Sequence, residues 1–195
     1  VVVSINPLPE AGLTHYRNPQ TARGMLGRGT TIADHFLQIR LGGDLALFVG
    51  LGKVLLEAEE AGRNTVGLPT VFDHDFINAH TVGIEAYVER LRATSWADIE
   101  AATGLPQAQI RELGELMLAS NRTIVAWAMG LTQHHHSVPM IREIVNVILL
   151  QGNLGRPGAG LLPARGHSNV QGDRTMGIFE RMPAAFHDAL DAEFD

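Results

Sequence analysis

Between Gly152 and Gly177 the chain reads GNLGRPGAGLLPARGHSNVQGDRTMG, a stretch with seven glycines, two prolines and three arginines and hardly an apolar run to bury. Glycine lets a backbone approach a ligand and take positive φ, and proline fixes turns. Arg165, His167, Ser168, Asn169 and Gln171 offer hydrogen bonds suited to an anionic, nucleotide-like molecule. A long surface Ω-loop has the same composition, so two readings stand side by side. Polar groups recur after three apolar runs upstream. Asn6 follows Val1 to Ile5, Gly43 and Asp44 follow Phe36 to Arg40, and Gly130 to His136 follows Thr123 to Met129. In doubly wound sheets ligands bind at the carboxyl ends of strands.

These strings carry a resemblance. GNLGRPGAG followed by RGHSNVQGDRTMG resembles the corresponding segment of the molybdopterin oxidoreductases, closest to the bacterial formate-dehydrogenase-like branch of the dimethyl-sulfoxide-reductase superfamily. The likeness continues through VVVSINPLPE at the start, IADHFLQIRLGGDLAL at 32–47 and AWAMGLTQHHH at 126–136, in the family's order. Since those proteins run to several hundred residues, the resemblance implies an internal fragment.

It also implies a cofactor, bis-molybdopterin guanine dinucleotide with molybdenum or tungsten, held by the full-length protein. Arg165 matches an arginine that stands beside the metal and orients a small anionic, formate-like substrate. A guanidinium fork suits that task, because it is always charged and bonds a carboxylate bidentately. A salt bridge cementing two domains is the alternative role. Gly166, His167, Ser168, Asn169 and Gln171 match pterin and phosphate contacts, and Gly130 and Gln133 match near neighbours of the pterin. Asn6 matches a polar residue near one guanosine, and Gly43 with Asp44 matches a guanine-binding element. Residue chemistry leaves alternatives at two of these: Asn6 suits an Asx-type turn before proline, and Asp44 suits a helix N-cap. His167 departs from the pattern, standing where formate dehydrogenases carry glutamine, so the resemblance does not fix formate as substrate. The metal's protein ligand and any 4Fe-4S cluster are expected upstream of Val1. An electron-transfer partner and other domains of the same chain are expected around this piece, which alone is expected to be inactive. A non-enzymatic nucleotide-binding or interaction module derived from the same fold is the competing expectation.

Composition narrows the rest. The 195 residues are 45% hydrophobic and 18% charged, with net charge −6 and mean hydropathy +0.05. No basic surface advertises nucleic acid. With no cysteine, a disulfide framework, a Cys-ligated cluster and a thiolate nucleophile within these residues are excluded. No apolar run reaches the roughly 18 residues of a membrane span, and the start is not signal-like. A cytoplasmic location is the expectation.

The elements that must position these groups follow from periodicity. Val1 to Ile5, Phe36 to Arg40 and Thr123 to Met129 read as strands, the first as a buried parallel strand. Leu45 to Ala61 reads as a helix with Asp44 at its N-cap, and Val138 to Leu150 as a helix apolar round most of its circumference, ending at the C′ glycine Gly152. Between them lie helices over Thr81 to Arg92, Ser95 to Thr103, with Ser95 as N-cap, and Pro106 to Ala119, with Pro106 in the first turn. Glu10 to Thr30 reads as an ordered excursion, and Phe72 to Phe76 as a loop entering a helix rather than a metal site at His74. Three adjacent histidines, His134 to His136, alternate direction on an extended chain, which argues against chelation and for cofactor contact or helix capping. No metal ligand is assigned. The fold class is α/β, a three-layer Rossmann-like domain with a mainly parallel sheet, resembling the third domain of formate dehydrogenase and dimethyl sulfoxide reductase. It is expected over residues 1–177, with a helical insertion at about 81–119, and residues 178–195 are expected to begin a segment leading into a neighbouring domain.

Overall fold

The structure, a computed structural model, describes residues 1–27, 29–63, 70–167, 170–178 and 182–194. Its centre is a single long helix, α3 (Asp44–Arg63). Apolar side chains occupy nearly every side of its first three turns, so it is buried all round. Leu47, Leu51 and Leu55 are buried, and α3 packs against α5 (Ile84–Ala93), α6 (Trp96–Thr103), α7 (Gln107–Ala119) and α9 (Ser137–Leu150). Leu91, Ile99, Ile110, Ile144 and Val147 come from those four helices into the same core. The helices at 81–119 thus help to make the core on which the strands rest.

Two short parallel ladders lie against this helical mass. β1 (Val3–Ile5) pairs with β4 (His35–Leu37), Ser4 opposite Phe36. β5 (Ile124–Trp127) pairs with β6 (Gly160–Pro163), Val125 opposite Leu161. An antiparallel pair, β2 (His15–Tyr16) with β3 (Thr30–Thr31), and two single-turn helices, α1 (Ala11–Thr14) and α2 (Ala22–Met25), make up the excursion after β1. The class is α/β with parallel pairing, as the periodicity predicts. Among the described residues the parallel strands stand in two ladders that are not hydrogen-bonded to each other.

Several boundaries differ from expectation for local reasons. The second strand ends at Leu37, because the Arg40 N–H donates to Thr103 O at 2.8 Å and its Nη1 to Ala101 O at 2.6 Å, which draws the chain out of the ladder and onto the end of α6. Asp44 is the first residue of α3, and Gly43 is the cap, its carbonyl accepting from Leu47 N–H at 2.9 Å. Pro106 precedes α7 as its N-cap instead of entering the first turn. The loop from Gly152 contains a strand, β6, and a short helix, α10 (Val170–Thr175). Four residues ending in proline are too few to show a period, so only the β5 partner reveals β6.

Other local readings hold. Ser95 caps α6, accepting from Asp98 N–H at 3.1 Å. Gly152 follows α9 with φ +59°. His74 opens α4 (His74–His80), which Asp73 caps by accepting from Phe76 N–H at 3.0 Å. The His74 ring meets Glu59 of α3 at 2.7 Å, and that fully buried carboxylate also accepts from the N–H groups of Val71 and Phe72 at 2.7 and 3.0 Å. After Gly177, α11 (Ala184–Phe194) buries none of its residues.

Candidate functional site at the strand ends

At the end of β1, Asn6 closes the ladder, its N–H donating to Leu37 O at 3.1 Å. Its side-chain amide donates to Leu8 O at 2.7 Å, which is the turn role expected before proline. Half-buried, it also lines a cleft of about 1330 Å³ that runs between the two ladders.

Beyond β4 the chain makes a glycine turn into α3. A Cβ on Gly43 would lie 2.9 Å from Thr103 Cα and 3.0 Å from Ala102 O, so the missing side chain lets the end of α6 pack on the start of α3. This packing accounts for the glycine without a ligand. Asp44, next to it, lines the same cleft as Asn6. Burial raises its carboxyl above the ordinary carboxylate range, while a hydrogen bond from its own backbone and the charge of His134 act the other way. A half-buried carboxylate in the first turn of a helix, with its proton held more tightly than usual, is an acceptor in need of donors.

After β5, the single-turn helix α8 (Met129–Thr132) brings Gly130 and His134 to the cleft. Gly130 is exposed, and a Cβ there would touch nothing within 4 Å. The Gln133 N–H ends α8 on Met129 O at 3.0 Å, and its side chain is exposed outside the cleft lining. Of the three histidines, His134 is the one aimed inward, close enough to act on Asp44. His135 and His136 stack edge to face at 4.7 Å. His136 stands at the N-cap of α9, but its side chain makes no capping bond. Among the described residues no group of three metal-ligating side chains exists.

β6 delivers Arg165. Ala164 extends the pairing, its N–H donating to Trp127 O at 2.7 Å, and Arg165 follows at the carboxyl end. Its Nε donates to His167 O, while its Nη1 is buried with no hydrogen-bond partner among the described residues. A buried donor left unpaired costs about 1–3 kcal/mol, so this guanidinium is set for an acceptor that the described residues do not supply. Gly166 is held against α8: a Cβ there would fall 1.7 Å from Met129 Sδ. That contact ties the arginine loop to the helix bearing Gly130. His167 is exposed, as is Gln171 in α10, whose carbonyl accepts from Thr175 Oγ1 at 2.8 Å. Ser168 and Asn169 lie outside the described residues.

The structure therefore brings Asn6, Asp44 and Gly130 to one cleft and Arg165 and Gly166 to its flank, and leaves Gln133, His167 and Gln171 on the surface. His134 was readable only as one of three equivalent histidines; which of them turns inward depends on where α8 stops.

No protein-family model matches the chain. It is 51% identical over 193 residues to an uncharacterized oxidoreductase of Mycobacterium tuberculosis, a match that takes in 99% of this chain and 24% of the relative. It is 30% identical over 146 residues to formate dehydrogenase H of Escherichia coli, covering 75% of this chain and 19% of that one. Among solved structures, acetylene hydratase from Pelobacter acetylenicus superposes with a TM-score of 0.55 at 22% identity, over 80% of this chain and 18% of its own, which shows a shared fold. The chain spans about a quarter, or less, of the length of these relatives. Together with the strings at 32–47, 126–136 and 152–177, the relatives place it in a family: the chain belongs to the formate-dehydrogenase-like branch of the molybdopterin oxidoreductases.

Proposed function

We propose that these residues form one wall of the site for bis-molybdopterin guanine dinucleotide, carrying molybdenum or tungsten, in a cytoplasmic oxidoreductase that acts on a small anionic substrate. The observation that carries the reading is the convergence of Asn6, Asp44 and Gly130 on one cleft at the carboxyl ends of parallel strands. The donor set fits such a group. The Asp44 carboxylate is a double acceptor for the N1–H and N2–H₂ edge of guanine, and a neighbouring helix N-terminus favours negative charge. Guanine donors would offset the burial that now raises its proton affinity. Gly130 leaves room for close approach at the end of β5, and Gly166, His167 and Gln171 lie along the arginine loop, with Ser168 and Asn169 joined to them by the resemblance alone. When bound, the cofactor supplies two-electron redox chemistry at its metal.

Arg165 binds and orients the substrate in this reading. Its unpaired, buried Nη1 supports an anionic acceptor close by, and the His167 carbonyl on Nε fixes the plane of the fork. Productive orientation of this kind lowers a barrier by removing rotational freedom before reaction. The metal's own protein ligand and any 4Fe-4S cluster belong to other parts of the full-length protein, and an electron-transfer partner lies outside these residues too, so the 195 residues alone are inactive. Their wall is one of several.

The test is Asp44→Asn in the full-length protein. Loss of the charge-assisted pair, roughly 1.5–3 kcal/mol, lowers metal and pterin content per chain while folding is kept. Unchanged content would leave Asp44 with a helix-terminal role only.

A further inference from the structure

The cleft between the ladders is built differently from a small-ligand pocket. At about 1330 Å³ it exceeds the roughly 300–1,000 Å³ usual for one. Its floor is apolar, made by Phe48 and Leu51 of α3 with Leu113 and Met117 of α7. Its two sides are strand edges. On β1 the Asn6 N–H donates to Leu37 O and Val2 O accepts from His35 N–H, so the even-numbered residues pair towards β4. By alternation Val3 and Ile5 turn their N–H and C=O groups into the cleft. On β5, Thr123 O and Trp127 O accept from Gly160 and Ala164, so Ile124 and Ala126 turn theirs away from β6 and into the cleft from the other side. Among the described residues none of these four has a backbone partner there.

Two facing strand edges over an apolar floor make a slot for one strand. An open apolar edge invites aggregation, and proteins cover such edges. β1 and β5 are also half-exposed where parallel strands are ordinarily covered on both faces; Ile124 is 58% exposed. Asp44, beyond the end of β4, lies close enough to His134, beyond the end of β5, for their charges to interact, which puts the carboxyl ends of both ladders on one side.

Strand order names the occupant. A doubly wound sheet runs 3-2-1-4-5-6 in chain order, starting at a central strand and building outward on each side in turn. With the ladders β4–β1 and β5–β6 read as 3-2 and 4-5, the missing member is strand 1, which lies between 2 and 4 and precedes both in sequence. We propose that an extended strand of the same polypeptide, from residues preceding Val1, seats between the edges of β1 and β5 and joins the two ladders into one parallel sheet. The chain spans about a quarter of the relatives it matches, which leaves ample polypeptide to supply it. The reading stands on hydrogen-bond geometry and does not depend on the cofactor. Such a strand is a short run of β-branched and other apolar residues.

The experiment uses the full-length protein. A photoreactive benzoyl-phenylalanine replaces Leu116, which lines the cleft; on irradiation the cross-linked peptide maps within the residues preceding Val1. A cross-link to residues beyond Asp195 or to a second copy, or none, overturns the proposal. Because that side chain is bulky, hydrogen exchange is also measured on the unmodified protein. The cleft-facing amides of Ile5 and Ala126 exchange at least about 100-fold more slowly than that of Val82, which is 99% exposed, and a smaller ratio overturns the proposal.

Discussion

The helical side and the strand side of this molecule are built to different standards of completeness. Around α3 every large side chain has neighbours, and Leu47, Leu55, Leu91, Ile110 and Ile144 have no exposed surface at all. Across the ladders apolar residues meet solvent, and among the described residues the facing strand edges are unpaired and Arg165 keeps a buried donor without an acceptor. Stability is thus concentrated in one half, and the groups with chemistry to offer sit in the other, where the proposed strand and cofactor would complete the structure. A site formed between domains requires this division, since each wall must persist before the others meet it.

If the division holds, equivalent truncations on the two sides differ widely. Ile110→Ala, at a fully buried position beneath α3, lowers unfolding free energy by about 2–5 kcal/mol, whereas Ile124→Ala on β5 changes it by under about 0.5 kcal/mol in the 195-residue chain. Chemical denaturation of the two variants measures the contrast, and equal losses would erase it. Glu59→Ala tests a polar anchor on the closed side. It strands the N–H groups of Val71 and Phe72 and removes the carboxylate that the His74 ring meets, for a loss of about 2–3 kcal/mol in the same assay.

The seam between the halves is sensitive at Gly166. Gly166→Ala pushes a methyl into Met129 Sδ and costs about 1–3 kcal/mol unless the methionine swings away. Pairing it with Met129→Ala recovers part of that loss, and a double-mutant cycle reads the coupling.

The smallest effect reverses sign. Because burial raises the Asp44 carboxyl, folding favours its protonated form; the stability it contributes is present at low pH and lost as pH rises through the raised value. Above the raised value the full penalty applies, so there Asp44→Asn makes the cofactor-free chain slightly more stable while it weakens guanine binding. Thermal melts of the two forms converge below the ordinary carboxylate range.

Sequence reading succeeded where a period or a cap is local. The 3.6-residue pattern of α3 and α9, the Ser95 cap and the Gly152 terminus all depend on residues within a turn of one another. It failed for β6, whose four residues take their identity from β5 about 35 positions upstream. The buried role of Glu59 was equally hidden, since its partners stand twelve or more residues away. That Asn6, Asp44 and Gly130 meet at one cleft was legible because each follows a strand, and strand ends collect at one edge of a parallel sheet. What excludes a side chain at Gly43 is Thr103 of another helix, which no local motif displays.

The most direct measurement is turnover per bound metal in the full-length enzyme carrying Arg165→Lys. Lysine keeps the charge and loses the planar fork. If Arg165 orients an anionic substrate, turnover per metal falls by about 100-fold or more while metal content and melting temperature stay near wild type. Normal turnover per metal, with metal content and melting temperature falling together, would make Arg165 a strut between domains and contradict the assignment.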